Sequence, residues 1–196
     1  MTKKIEFYYD FISPYSYLAH KRIQKIEKNT EIKFNYNPIL LGGLHNLAKI
    51  TAPGLIKAKQ KYLVSDCNMI AEKYKINFKF NEKFPINSLS LMRGNIIIDE
   101  YKKREYVDKV FEAYWLDNVD FNNEKNLLGI LDNLKINNKF FFEKINEQSA
   151  KNELKNLTEN AFKKKIFGAP SFIVNEKIFW GQDRLEYALD EYEKKN

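Results

Sequence analysis

Residues 3–9, KKIEFYY, form a run rich in aromatic and β-branched side chains, which predicts a strand. The apolar run breaks at Ser13-Pro14. A proline costs nothing in the first turn of a helix, where its missing N–H would have no partner, and a serine suits the cap before it. Tyr17, Leu18, Ile23 and Ile26 then keep helical spacing as far as about Lys28. Residues 31–39, EIKFNYNPI, alternate apolar and polar and end near Pro38, which predicts a second strand. Strand, helix and strand at this length make a βαβ unit, so the two strands should lie parallel.

From Leu41 the period changes. Gly42-Gly43 and Pro53-Gly54 mark loops, and helical spacing then dominates a long middle stretch. Its clearest segments are 58–74, 88–103, 106–117 and 124–134, followed by a long helix over 151–167. None alternates like a strand, so this stretch is expected to be all-α. Gly168-Ala169-Pro170 ends the long helix. The short apolar runs 171–174 and 177–180 flank Asn175-Glu176, a hairpin signal. Gly181-Gln182-Asp183 closes that hairpin and caps a last helix over 184–193. The resulting order predicts an α/β fold: a thioredoxin-like domain, βαβ then αββα, built from 1–41 and 158–196 and interrupted by an all-α insertion over 42–157. In such a fold both halves share one sheet. Ser13 and Pro170, far apart in the chain, should then face each other.

Composition narrows the picture. A 44% hydrophobic content with 15% aromatics in 196 residues supplies a core, which excludes a disordered chain. No apolar run is long enough to span a bilayer, and the start turns acidic and polar before any signal-like segment develops. Cys67 is the only cysteine, so neither an intrachain disulfide nor a CxxC pair can form, and a reducing cytoplasm is the expected compartment. The net charge of +7 invites a nucleic-acid reading, but the arginines are limited to Arg22, Arg93, Arg104 and Arg184. The lysines are interspersed with Glu and Asp, as on solvated helix faces, so no nucleic-acid partner is expected. His20 and His45 are too isolated for a metal site. Cys67, Tyr114 and Trp115 read as core, although the inner face of the insertion should also line an acceptor pocket.

The predicted junction at Ser13 has a chemical use. A helix N-terminus presents unpaired N–H groups and about half a positive charge, so it favours an anion, and a hydroxyl at the cap adds one more hydrogen bond. If the anion is a thiolate, its thiol pKa falls.

The motifs YYDFISPYSYLAH, ILLGGL from Ile39, KAKQKYLVSDCNMIAEKY from Lys57, KFPINSLSLMRG from Lys83, VFEAYW from Val110 and FGAPSFIVNEKIFWGQDRLEYAL from Phe167 run in order over nearly the whole chain. Together they resemble the DsbA-related group of 2-hydroxychromene-2-carboxylate isomerases and kappa-class glutathione transferases. The resemblance implies glutathione as cofactor, with Ser13 holding its sulfur where thioredoxins keep an attacking cysteine. It implies a cis Ala169–Pro170 bond, with the main chain of Ala169 pairing with the cysteinyl backbone of the tripeptide. Gln182 and Asp183 match the pair that binds the γ-glutamyl end, and Lys59 matches a lysine that reaches glutathione from the insertion. Ile50 departs from the pattern, because many relatives have an Asn there.

The activity implied is cis–trans isomerisation of a conjugated aromatic substrate through reversible addition of the glutathione thiolate. The alternatives are transfer of glutathione to an electrophile, or a non-catalytic thiol- or peptide-binding module. Disulfide exchange is excluded, since Ser13 and Ser16 occupy both positions of the CxxC pair. A small-molecule partner, no membrane and a homodimer complete the expectation.

Overall fold

A computed structural model of the chain describes residues 4–194. Lys3, at the start of the first predicted strand, and the outermost residues of both predicted thioredoxin-like pieces lie outside that range. A four-stranded sheet has the order β2-β1-β3-β4. Its strands are β1 (Ile5–Tyr9), β2 (Phe34–Pro38), β3 (Ser171–Val174) and β4 (Lys177–Trp180). β1 pairs with β2 in parallel, from Ile5↔Phe34 to Tyr9↔Pro38, as the βαβ reading requires. β3 runs antiparallel to both β1 and β4, with Phe7↔Phe172 and Phe172↔Phe179 in register. At the β3–β4 turn Asn175 and Glu176 both have positive φ, 47° and 64°, the twist a two-residue hairpin needs.

The central position of β1 explains its composition. Ile5, Phe7 and Tyr9 face one side of the sheet and Tyr8 the other, and all are buried. On the first side Phe7, Tyr9 and Phe172 join a continuous apolar cluster with α1 (Pro14–Asn29), α5 (Glu100–Trp115) and the last helix, α9 (Leu185–Glu193). On the second side Tyr8 packs with Ile39, Leu44, Ala161 and Ile166, under α2 (Leu41–Ala48) and α8 (Gln148–Lys163). The other helices are α3 (Lys57–Tyr74), α4 (Leu89–Ile97), α6 (Lys125–Asn133) and α7 (Asn138–Asn146). No helix among the described residues is long and apolar enough to cross a membrane.

Several predicted elements shift. The Gly42-Gly43 loop is instead the first turn of α2. Glycine disfavours a helix, but the Asp10 carboxylate accepts the Leu41 N–H at 2.7 Å and caps this one from across the fold. The segment 88–103 is two helices, because Ile98 and Asp99 leave the helical region (ψ 144° and 139°) before α5 starts. The helix α7 is absent from the sequence reading, although Asn137 caps it through the Phe140 N–H at 2.9 Å and Phe141 and Ile145 bury one face. The long helix α8 stops short of 167: Lys165 turns left-handed (φ 69°), and the Ile166 N–H reaches back to the Ala161 carbonyl. Cys67, Tyr114 and Trp115 are buried, as expected.

Candidate active site

The site begins at the end of β1. Asp10 is fully buried; its Oδ1 accepts the Ile12 N–H at 3.1 Å and its Oδ2 the Leu41 N–H. The Ser88 hydroxyl and the Phe11 N–H also donate to it. These bonds favour the carboxylate, yet loss of hydration outweighs them and pushes Asp10 up to about 6. Its carbonyl accepts the Ser13 N–H at 3.1 Å. Asp10 thus ties the β1–α1 loop to the starts of α2 and α4. The sequence reading passed over it. The usable signal was an Asp three residues before a helix cap, which is turn chemistry.

Ser13 is the N-cap of α1, in extended conformation (φ −86°, ψ 113°), with Pro14 as the first helical residue. Its Oγ accepts the Ser16 N–H at 3.1 Å and donates to the Ala169 carbonyl at 3.0 Å. The Ala169–Pro170 bond is cis. The side chain expected to hold a sulfur and the main chain expected to pair with a cysteinyl backbone are therefore in direct contact, although 156 positions separate them. Ser16, in the other position of the S-P-Y-S motif, is fully buried, and its hydroxyl is unpartnered among the described residues. Tyr15 donates to Asp66 of α3 at 2.6 Å, which ties the first turn of α1 to the helical region; burial and that bond push its phenol well up.

The 168–171 turn is held from both ends. The Ser171 hydroxyl donates to the Gly168 carbonyl at 2.7 Å, and the Gly181 N–H donates to the Pro170 carbonyl at 2.9 Å. Gly181 has φ +107°, a conformation that side chains resist, and a Cβ there would lie 2.5 Å from Asp183 Oδ1. This glycine brings Gln182 and Asp183 to the cis-proline. Asp183 is exposed and pairs with Arg184 at 2.7 Å. Gln182 is buried, with its side-chain carbonyl turned to Arg22 Nη1 at 2.9 Å.

Lys59 stands apart. It is exposed in the first turn of α3, seven residues before Asp66, so about 10 Å along the helix from the bond to Tyr15. The structure unites Ser13, Ala169 and Pro170, joins the turn of Gln182 and Asp183 to them through the Gly181 N–H, and leaves Lys59 exposed at the start of α3. Ile50 follows α2, with its N–H on the His45 carbonyl at 2.9 Å.

The model of the DSBA-like thioredoxin domain matches residues 4–193. The chain belongs to the DsbA-like thioredoxin family. Within that family it is similar to a 2-hydroxychromene-2-carboxylate isomerase from Sphingobium xenophagum, at 27% identity over 98% of each chain. It is also similar to the human glutathione S-transferase kappa 1, at 24% identity over 95% of this chain and 89% of that one. A solved structure of a 2-hydroxychromene-2-carboxylate isomerase superposes with a TM-score of 0.87 at 26% identity, covering 95% of this chain and 92% of the other.

Proposed function

We propose that the protein is a glutathione-dependent cis–trans isomerase of the 2-hydroxychromene-2-carboxylate isomerase type, with Ser13 as the residue that holds the thiolate. The observation that carries this reading is the contact between the Ser13 hydroxyl and the Ala169 carbonyl beside the cis peptide bond, at the N-terminus of α1. The residues fit the cofactor. The main chain of Ala169, beside the cis bond, can pair with a peptide backbone, and a thiolate at Ser13 would meet the positive end of α1. Asp183 offers a carboxylate to an ammonium group. Lys59 belongs to this reading as a long-range arm from α3.

When bound, glutathione would supply a thiolate whose reversible addition to a conjugated double bond leaves a single bond free to rotate. The chain's own part is electrostatic and positional. Ser13 has one hydroxyl proton, now given to the Ala169 carbonyl; rotation about its side chain would let it donate to a bound sulfur instead. Asp10 keeps the loop rigid while this happens, and Tyr15 keeps α1 and α3 in register.

Transfer of glutathione to an electrophile is the second reading, favoured by the similarity to the kappa transferase over nearly the whole chain. Both readings use the same thiol site. Incubation with glutathione and a cis-configured conjugated aromatic acid decides between them. Isomerised product with constant total thiol supports isomerisation; stoichiometric thiol loss supports transfer. Ser13→Ala should lower the rate at least tenfold and raise the pKa of bound glutathione, followed by thiolate absorbance. An unchanged thiolate signal in that variant would remove Ser13 from the mechanism.

A further inference from the structure

Arg22, in the middle of α1, is a buried guanidinium with an unusual set of partners. Its Nη1 donates to the main-chain carbonyl of Gln182 at 2.5 Å and to that residue's side-chain carbonyl at 2.9 Å. Its Nη2 pairs with Glu186 at 2.5 Å, and its Cζ lies 4.0 Å from the ring centroid of Tyr74, the last residue of α3. The Tyr74 hydroxyl closes the set by donating to Glu186 at 3.3 Å. A planar fork with fixed donors can hold two carbonyls and a carboxylate at once; a lysine ammonium cannot do so in this geometry.

We infer that Arg22 is the positioning residue for the γ-glutamyl end of glutathione, acting through the 181–183 turn rather than by touching the ligand. This rests on the glutathione reading above. With its main-chain and side-chain carbonyls both held by Arg22, Gln182 serves that end through its N–H donors, and Asp183 is the side chain left to meet an ammonium group. The same turn reaches the cis-proline through the Gly181 N–H. Arg22 therefore fixes the distance between the γ-glutamyl subsite and the thiol subsite at Ser13. Tyr74 ties that spacing to the helical region.

Ligand truncation combined with mutation tests the inference. Binding of glutathione and of cysteinylglycine, which lacks the γ-glutamyl group, is measured by calorimetry for the native chain, Arg22→Met and Arg22→Lys. The expected result is a loss of about tenfold in glutathione affinity for Arg22→Met, with cysteinylglycine affinity within twofold of the native value and Arg22→Lys in between. A general loss of structure would weaken both thiols equally, and that outcome overturns the inference, as does no loss for either. If Arg22→Met does not fold, Arg22→Lys alone is read by the same criterion. Native protein that binds both thiols equally well overturns the inference and leaves the thiol site standing. Native protein that binds neither overturns the glutathione reading itself.

Discussion

At the scale of single residues, the site depends on side chains whose role is to hold other groups in place. Asp10 is the clearest case. Both of its oxygens accept backbone N–H groups, so Asp10→Asn must turn an amide N–H₂ toward one of those donors. The variant should lose about 1–3 kcal/mol in urea unfolding at pH 4, a loss that shrinks as pH rises toward 6, with α2 and the β1–α1 loop loosening first in hydrogen exchange. Equal stability would show that the buried carboxylate is not the cap it resembles. Gly181→Ala tests the other side of the site. Its φ of +107° strains any side chain, so glutathione binding should weaken together with thermal stability. Ser13 was readable from its neighbours in sequence, because a Ser-Pro pair before a helical pattern is local information. Arg22 was not: only the folded chain shows that one arginine among many lysines meets Gln182.

At the scale of elements, three consecutive residues anchor α1 to different partners. His20 Nε2 lies 2.8 Å from Asp108 and Lys21 Nζ lies 2.6 Å from Glu112, both on α5, while Arg22 meets Glu186 on α9. The cap serine at the end of such a helix cannot drift from the cis-proline. The helical region is packed as tightly. A Cβ on Gly94 of α4 would lie 2.5 Å from the buried Phe141 ring of α7 and against the hydroxyl of Tyr106, which donates to the Leu91 carbonyl at 3.0 Å. Gly94→Ala should therefore destabilise by about 1–3 kcal/mol although alanine is the better helix former, read from the denaturation midpoint. An unchanged midpoint would mean that α7 yields at no cost. The periodicity of α3, α5, α6 and α8 was visible because one face of each is apolar. The helix α2 was hidden, because its glycines argue for a loop and its cap comes from Asp10, far back in the chain.

At the scale of the whole molecule, the apolar cluster joins the sheet to the helical region without a break, and Trp115 is its pivot. Its indole N–H donates to the Phe11 carbonyl at 2.8 Å, while Phe78, Phe80, Phe84 and Tyr114 surround the ring. Two buried titratable groups give this body a pH behaviour that neither shows alone. Burial raises Asp10 from 3.8 to about 6, so between those values the folded chain keeps a proton that the unfolded chain has lost, and stability falls as pH rises. Burial lowers His20 from 6.5 to about 4; its Nδ1 lies 2.8 Å from the Tyr36 hydroxyl and its Nε2 2.8 Å from Asp108. In that window the unfolded chain takes up a proton that folded His20 refuses, so stability rises with pH. The two slopes oppose each other. Melting temperature should stay nearly level from pH 4.5 to 6, rise with pH in Asp10→Asn and fall with pH in His20→Gln. Parallel profiles in all three proteins would refute the compensation.

The sequence by itself determined the order of the elements, the parallel βαβ unit, the hairpin at Asn175-Glu176 and the cap at Ser13, because each is written in neighbouring residues through period, turn chemistry and the conformational limits of proline. Tertiary structure alone decided that the Ser13 hydroxyl meets the Ala169 carbonyl, that Asp10 caps a helix it does not precede, and that Arg22 turns Gln182 inward. Those contacts join residues separated by 31 to 160 positions. Local pattern carries no information over such distances; burial selects the partners, since a buried charge or carbonyl must find one within reach.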